Sequence, residues 1–332
     1  MPTRVAAIGV SHWHSLYDSA YLRHLRGLPD TELVALQDSS ESIAARRAAA
    51  LGDPAVYVDY RRMLTETRPD FVIALGRHSS MAETALYLLD HGYPFLMEKP
   101  MGLDAGEVSR VAERAAAKNA FVAVPLGQRY QPFVARAQAL ATEGRFGPLS
   151  HIYFRLNRPT SARYVAWDAT WMLDPRDAGG GCLRNLGPHG LDLFLFLTGE
   201  EARVTGAQIS SVALGQTVED YASVLLRSSS GVLGTIEVGN TFPRLGTDGE
   251  SKIAWRDAIL TVKDDTLRLT TAAGEEMGPG AAAEPIALTA LRDALDHWRR
   301  GQPPPISVHD CLRAVRLIDE AYALAGRQRQ GS

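Results

Sequence analysis

The chain predicts two domains, the first α/β and the second α+β, and three observations carry that expectation. Up to residue 125, short runs that are apolar throughout alternate with helical segments, the pattern of a parallel sheet covered on both faces. Residues 149–158 and 202–270 are instead rich in Val, Thr, Ile and Tyr and are broken by turn signals, which argues for an open, mainly antiparallel sheet. The length of 332 residues is long for a single core.

Residues 5–8 form a first buried strand. Leu16, Ala20 and Leu25 can line one face of a helix ending at Gly27. Residues 33–36 make a second strand and 40–51 an alanine-rich helix closed by Gly52. Strands follow at 55–58 and 71–75, then a helix over 81–90 with Gly92 as its stop signal. Residues 95–97 and 121–124 complete the first sheet. In the second half, 222–227 and 232–238 predict antiparallel neighbours joined through 228–231. A helix near 190–197 ends at Gly199, and Gly187-Pro188 places its start near His189. In the tail, Leu288, Leu291, Leu295 and Trp298 share a helical face. Ser307 and Asp310 have capping-box spacing before a last helix carrying Leu312, Val315, Ile318 and Tyr322. Residues 272–283 and 302–305 are expected to be surface loops, and there is no internal repeat.

Composition excludes several classes. A net charge of −3 lacks the basic surplus that a phosphate-backbone binder needs, so no nucleic-acid partner is expected. Cys182 and Cys311 give neither a disulfide framework nor a zinc set. No apolar stretch is long enough to span a membrane, and the start shows no leader pattern, so a cytoplasmic protein is expected.

The candidate chemistry begins at Val5-Ala6-Ala7-Ile8-Gly9-Val10-Ser11-His12-Trp13-His14-Ser15. A dinucleotide fingerprint places glycines at the first, third and sixth positions of such a turn. Gly9 keeps the tight turn, Ser11 is small enough for close phosphate approach, and His14 puts bulk where helix packs on strand. Asp38, 24 residues past His14, can accept hydrogen bonds from adenosine ribose hydroxyls and would repel a 2′-phosphate. With Ser39 and Ser40 it can equally cap the next helix. Glu98-Lys99-Pro100 ends a strand with two opposite charges. A lysine there could hold a substrate hydroxyl and move its proton, or simply form a surface ion pair. In Gly179-Gly180-Gly181-Cys182-Leu183-Arg184-Asn185-Leu186-Gly187-Pro188-His189-Gly190-Leu191-Asp192, the glycines let backbone crowd a ligand or another segment. Asn185 and His189 share a helix face only if the helix already runs through Asn185. His189 is then either a general acid/base or a packed histidine.

Glu98-Lys99-Pro100 followed by this glycine-rich histidine stretch resembles the Gfo/Idh/MocA family of oxidoreductases over nearly the whole chain. Supporting matches are residues 70–75, Gln128-Arg129-Tyr130-Gln131-Pro132, Glu219-Asp220-Tyr221 and the terminal helix. The resemblance implies a doubly wound Rossmann domain binding NAD(P), over 1–125, and a substrate-binding and oligomerisation domain over 126–332. It implies that helix 307–325 packs back on the Rossmann domain and that the second sheet forms a homodimer or homotetramer. Its implied activity is hydride transfer to or from a hydroxyl-bearing carbon of a sugar, sugar acid or cyclitol. Lys99 and His189 match the family's catalytic lysine and histidine. Asn185 stands where many members have aspartate, and an amide cannot hold a transferable proton.

The expected catalytic set is therefore Lys99, His189 and Asn185. The expected cofactor set is Gly9, Ser11, His12, Trp13, Asp38, Ser39, His78, Glu98, Lys99 and Gln128, with NAD preferred over NADP. Arg129, Tyr130, Trp167 and Trp171 join the catalytic three as expected substrate contacts, with Tyr164, Arg163 and Arg184 as further pocket-shaping candidates. Asp168, Asp174, Asp177 and His189 match no metal-ligand spacing, so no metal is expected. Two alternatives stay open: a redox-assisted elimination with no net redox, and a non-catalytic binding module.

Overall fold

The structure, a computed structural model, describes residues 1–330 and divides them into two units. The first takes Met1–Pro125, Ala162–Gly179 and Ala287–Leu312. The second takes Leu126–Ser161, Gly180–Ile286 and the chain from Arg313 onward.

In the first unit, six short strands form one parallel sheet. They are β1 (Thr3–Ile8), β2 (Thr31–Gln37), β3 (Ala55–Tyr57), β4 (Phe71–Ala74), β5 (Phe95–Met97) and β6 (Val122–Ala123). Their order, β3-β2-β1-β4-β5-β6, is doubly wound and reverses direction between β1 and β4. The middle strands are apolar throughout because both faces are covered: Val5–Ile8 and Phe71–Ala74 are 4% exposed or less. Helices His78–Asp90 and Ala105–Lys118 flank the sheet. Helix Ile286–Arg299, much later in the chain, packs Leu291, Ala294 and Leu295 into the same core as Val5, Phe71 and Leu96.

The predicted helix through Leu16, Ala20 and Leu25 is broken. A single 3₁₀ turn, Trp13–Ser15, precedes helix Tyr21–Arg26. Asp18 and Ala20 between them sit at φ 55° and 46°, left-handed conformations that no continuous helix accommodates.

The second unit carries eight strands: β7 (Leu149–Pro159), β8 (Ala202–Ser210), β9 (Tyr221–Ser228), β10 (Leu233–Phe242), β11 (Asp248–Trp255), β12 (Ala258–Lys263), β13 (Thr266–Thr271) and β14 (Gly274–Pro279). The order is β14-β13-β12-β11-β7-β10-β9-β8, antiparallel except that β7 runs parallel to β10. The expected pairing of β9 with β10 is present, Leu226 opposite Gly234 and Val224 opposite Ile236. The stretch 272–283 is not merely a loop. It contains β14, an edge strand whose ladder to β13 supplies the pairing that its glycine-rich composition hides.

One face of the second sheet is covered by helices Pro132–Glu143 and Cys182–Thr198 and by the body of Val308–Gln330, which contributes Ala314, Leu317, Ile318 and Ala321 to the core. Ser307 and Asp310 close the start of that last helix, with Asp310 Oδ2 accepting from Ser307 N–H and Oγ–H at 2.8 Å. Among the described residues, no helix is long and apolar enough to cross a membrane.

The first sheet's reversal point depends on Gly9. It sits at φ +69°, and a Cβ there would lie 2.5 Å from the Cα and N of Gly76, at the end of β4. Gly92, at φ +75° in open space, isolates the backbone cost of a left-handed alanine, roughly 1–2 kcal/mol. Gly9→Ala adds backbone overlap to that cost and is expected to lose more than about 3 kcal/mol by urea unfolding. Equal losses in the two variants would mean that β1 and β4 can separate at no cost.

Candidate functional site

In the first unit, the turn after β1 is tied to the end of β2. Asp38 Oδ2 accepts the Ser11 N–H at 2.7 Å, and Oδ1 accepts the Ser40 N–H at 3.0 Å. Asp38 therefore braces the turn and serves the start of helix Glu41–Ala49 at once, while Ser39 is exposed. A carboxylate offers about four acceptor positions, so these bonds leave capacity for ribose hydroxyls. Ser15 Oγ donates to the Val10 carbonyl at 2.8 Å. Arg47, on the helix after β2, reaches Tyr17 Oη at 3.0 Å and the Trp167 carbonyl at 3.1 Å.

Behind the turn lies a buried charge cluster. The His12 ring stacks on Trp13, with centroids 4.0 Å apart. His12 Nδ1 accepts the His14 N–H at 3.2 Å, which puts the proton of a neutral imidazole on Nε2. Burial pushes the His12 pKa well below its usual value, and the neighbouring His14 adds to this. His14 Nδ1 stands 2.7 Å from Glu98 Oε1, and its Nε2 stands 3.7 Å from Asp18. Burial alone would lower the His14 pKa, but Glu98 and Asp18 outweigh it and the net direction is up. For Glu98, burial would raise the pKa, and His14 with Lys99 brings it far below the carboxylate range. Lys99 is 1% exposed. Burial lowers its pKa, against the opposite pull of Glu98, Asp18 and Cys311.

His12, His14 and Glu98 bring ligand atoms within 4.8 Å of one another. The 2.7 Å contact is hydrogen-bond distance, shorter than the roughly 3.3 Å between two ligands of one tetrahedral zinc. The cluster is hydrogen-bonded as it stands.

Around it, His78 Nδ1 meets the Ala178 carbonyl at 2.8 Å, and its ring lies 5.0 Å from Trp171. Trp171 and Tyr164 are packed in the core with Trp13. Trp167 is half-buried and stacked on Tyr17, and the Arg163 guanidinium lies over Tyr164. The expected aromatic platform thus supports the turn from behind; of the three, Trp167 keeps the most exposed surface.

In the second unit, helix Cys182–Thr198 starts seven residues before the start expected near His189. Glu219 explains why. Its Oε1 accepts the Leu183 N–H at 2.9 Å, and its backbone carbonyl accepts the Cys182 N–H at 3.1 Å. Gly181 makes this approach possible, since a Cβ there would lie 2.1 Å from the Glu219 carbonyl oxygen. The triglycine run crowds another chain segment, one of the two uses expected of it. Pro188 is held inside the helix despite lacking a donor. Asn185, buried, and His189, half-buried, therefore stand one helical turn apart.

Arg129 is engaged bidentately by Asp192, at 2.9 and 2.5 Å, and lies over Phe196. Arg184 pairs with Asp319 at 2.6 Å. Both arginines thus have carboxylate partners within their own unit. Tyr130 is half-buried in the turn Gly127–Tyr130, and Gln128 borders an open groove of about 680 Å³ with Arg155, Arg158 and Lys263.

Side chains of these networks that carry no expected role include His14, Asp18, Arg47 and Glu219. A histidine replacing the sixth-position glycine was the one available signal, since its acidic partner comes 84 residues later.

The His14–Glu98 pair makes stability depend on pH in a definite direction. Glu98, depressed, contributes above its unfolded pKa of about 4.3. His14, raised, contributes fully below its unfolded pKa of about 6.5 and loses the contribution as pH rises through its folded value. Glu98→Gln is expected to cost on the order of 3 kcal/mol between those pH values. Urea unfolding should show the gap from wild type narrowing as pH climbs from about 6 to about 9. A gap independent of pH would rule out ionic pairing.

Residues 3–126 match the oxidoreductase family with an NAD-binding Rossmann fold, and residues 134–248 match the GFO/IDH/MocA C-terminal domain. The rhizopine catabolism protein MocA of Rhizobium meliloti is 24% identical over 310 residues, covering 92% of this chain and 91% of the relative. The trans-1,2-dihydrobenzene-1,2-diol dehydrogenase of Sus scrofa is 27% identical over 276 residues, 79% of each chain. Among solved structures, a levoglucosan dehydrogenase in complex with NADH and levoglucosan superposes with a TM-score of 0.85 at 18% identity, covering 99% of this chain and 98% of that one. With a doubly wound sheet, an acidic residue after β2 and both family domains in order, the chain belongs to the GFO/IDH/MocA oxidoreductases and carries their NAD-binding domain.

Proposed function

We propose that this oxidoreductase interconverts a secondary alcohol and a ketone on a polyhydroxylated small molecule, a sugar, sugar acid or cyclitol, with NAD preferred over NADP. The observation that carries the reading is Lys99. It is a fully buried amine at the carboxyl end of a parallel strand, where open α/β sheets hold ligands, and its pKa is lowered by that burial. A buried amine with a reduced pKa can exchange a proton with a substrate hydroxyl at moderate pH.

When bound, the nicotinamide supplies the two-electron acceptor or donor for the carbinol carbon. Gly9, Ser11, His12 and Trp13 form the turn that would receive the cofactor phosphates, with His78, Glu98, Lys99 and Gln128 as further contacts. Asp38 and Ser39 would receive the adenosine ribose. Asp38 carries the cofactor preference, because a carboxylate buried beside that ribose repels a 2′-phosphate. Lys99 and His189 share the hydroxyl proton, and Asn185, one turn before His189, orients the hydroxyl without holding a proton. Tyr130 and Trp167 shape the sugar subsite, with Trp171 packed in the core behind the turn, and Arg129 contributes only where Asp192 releases it. Relatives named for a dihydrodiol and for levoglucosan support a substrate rich in hydroxyls. The outer face of the second sheet, with Leu225 and Leu233 about half exposed, supports pairing into a homodimer or homotetramer.

A second reading follows from Asn185. With an amide at Asn185 where many members of the family have aspartate, transient oxidation could acidify a neighbouring C–H and drive elimination of a glycosidic bond, with the cofactor regenerated. Product analysis without added cofactor separates the two.

A panel of sugars, sugar acids and cyclitols, followed at the reduced-nicotinamide absorption band, tests the first reading. Turnover of at least one member is expected, and Lys99→Met should lower kcat by about 10²–10⁴-fold. Undiminished turnover in Lys99→Met, or no binding of NAD, removes the reading. Asp38→Ser should narrow the NAD over NADP preference at least about tenfold, read as the ratio of kcat/KM values.

A further inference from the structure

We infer that residues 162–179 form a strap that holds the turn after β1 in its cofactor-receiving shape, and that Arg47 is the positioning residue joining the two. The inference rests on the reading above that this turn receives the cofactor phosphates, and it needs nothing of the proposed reaction.

The strap belongs to the first unit although it follows β7 in the chain. Its apolar side chains share one small core with the turn: Tyr164, Ala169, Trp171, Met172 and Ala178 are buried there together with Trp13. Between ring centroids, Trp13 lies 5.2 Å from Tyr164 and 6.0 Å from Trp171, and His12 lies 5.9 Å from Trp171. His12 is 0% exposed and Trp13 2%. These two residues come directly after Ser11, so the backbone that would meet a phosphate is fixed by side chains packed against the strap. Lifting the strap would return Trp13, Tyr164 and Trp171 to water and release that backbone.

Polar contacts latch both ends. At one end, the buried Arg47 guanidinium donates to the Val10 carbonyl in the turn at 3.4 Å, to Tyr17 Oη at 3.0 Å and to the Trp167 carbonyl at 3.1 Å. Arg46 pairs with Asp168 at 3.0 Å beside it. A planar fork of five donors can serve turn and strap at once, which a lysine ammonium on its flexible stem cannot. At the other end, Asp177 accepts from Arg77 at 3.0 Å and from Ser79 Oγ–H at 2.9 Å, and His78 Nδ1–H donates to the Ala178 carbonyl at 2.8 Å. His78 and Ser79 begin helix His78–Asp90, which follows β4. The strap thus reaches from the turn after β1 to the helix start after β4, the two strands at which the sheet order reverses and where such sheets hold ligands.

Strap seating and cofactor binding then act on one turn, so they are linked, and the linkage is reciprocal. Amide hydrogen exchange of the full chain, with and without saturating NAD, reads the two segments separately. Peptides over 9–15 and over 162–179 should both exchange at least about tenfold more slowly with NAD. Asp177→Ala, which opens one latch at a partly exposed end of the strap, should raise the Kd for NAD at least about fivefold, and Arg47→Met should raise it further. Kd is measured on folded protein well below its unfolding transition, where a merely structural loss of stability leaves it unchanged.

Protection of 9–15 without protection of 162–179 overturns the inference and leaves the reading of the turn intact. No protection of 9–15 removes both. Should Arg47→Met fail to fold, Asp177→Ala decides alone: unchanged NAD binding makes the strap a bystander, tighter binding makes it a barrier, and either result overturns the inference.

Discussion

A buried carboxylate at the end of β5 constrains the first unit more than any other single group. Glu98 is almost fully enclosed, and a carboxylate taken from water without compensation costs several kcal/mol. The compensation comes from the opposite end of the unit's sequence, in the turn after β1. His14 can reach Glu98 only if that turn is tight, and the turn is tight because Gly9 lies against Gly76. Asp38 then holds the turn through the Ser11 amide, which fixes the end of β2 relative to the ends of β1 and β4. A steric contact, a hydrogen bond from a backbone amide to a side-chain carboxylate and an ion pair thus lock four strand ends together. That rigid edge is where a doubly wound sheet places its ligands.

In the second unit, the corresponding constraint is a helix start. A seventeen-residue helix containing glycines and a proline near its beginning has poor intrinsic propensity there. Glu219 offsets this with two acceptors at the first turn, and Tyr322 Oη holds the same carboxylate oxygen at 2.7 Å. Helical geometry through Gly187 and Pro188 is what places Asn185 and His189 on one face. The side chains proposed to handle a substrate hydroxyl are therefore set by a carboxylate some thirty residues further along the chain, at Glu219, that itself touches neither of them in sequence.

Strand identity in the first sheet was legible because a fully buried parallel strand must be apolar at every position, and those runs stand out. The pairing of β9 with β10 was legible from alternation and a serine-glycine turn. The start of helix Cys182–Thr198 was not, because local propensity argues against it and the stabilising acceptor is remote. The break before the first helix is hidden for the opposite reason. Apolar spacing suggested continuity, and nothing in Asp18 or Ala20 announces a positive φ. β14 escaped notice because an edge strand with exposed polar side chains has little pattern of its own. Lys99 and His189 were legible as motif positions; the partners that set their environment were not, since ion pairs such as Arg129–Asp192 and His14–Glu98 join residues tens of positions apart.

Two departures from the family's pattern, His14 for glycine and Asn185 for aspartate, are absorbed in different ways. His14 puts an imidazole 2.7 Å from Glu98 and so gives a buried carboxylate a partner that glycine could not offer. The dinucleotide turn has thereby exchanged a packing glycine for an ion pair, and the tight approach of Gly9 to Gly76 is what leaves room for it. Asn185 keeps the polarity and size of aspartate but cannot hold a transferable proton, so in the proposed reaction the hydroxyl proton would rest on Lys99 or His189. The first change is answered within the fold; the second is the one that the proposed chemistry has to answer.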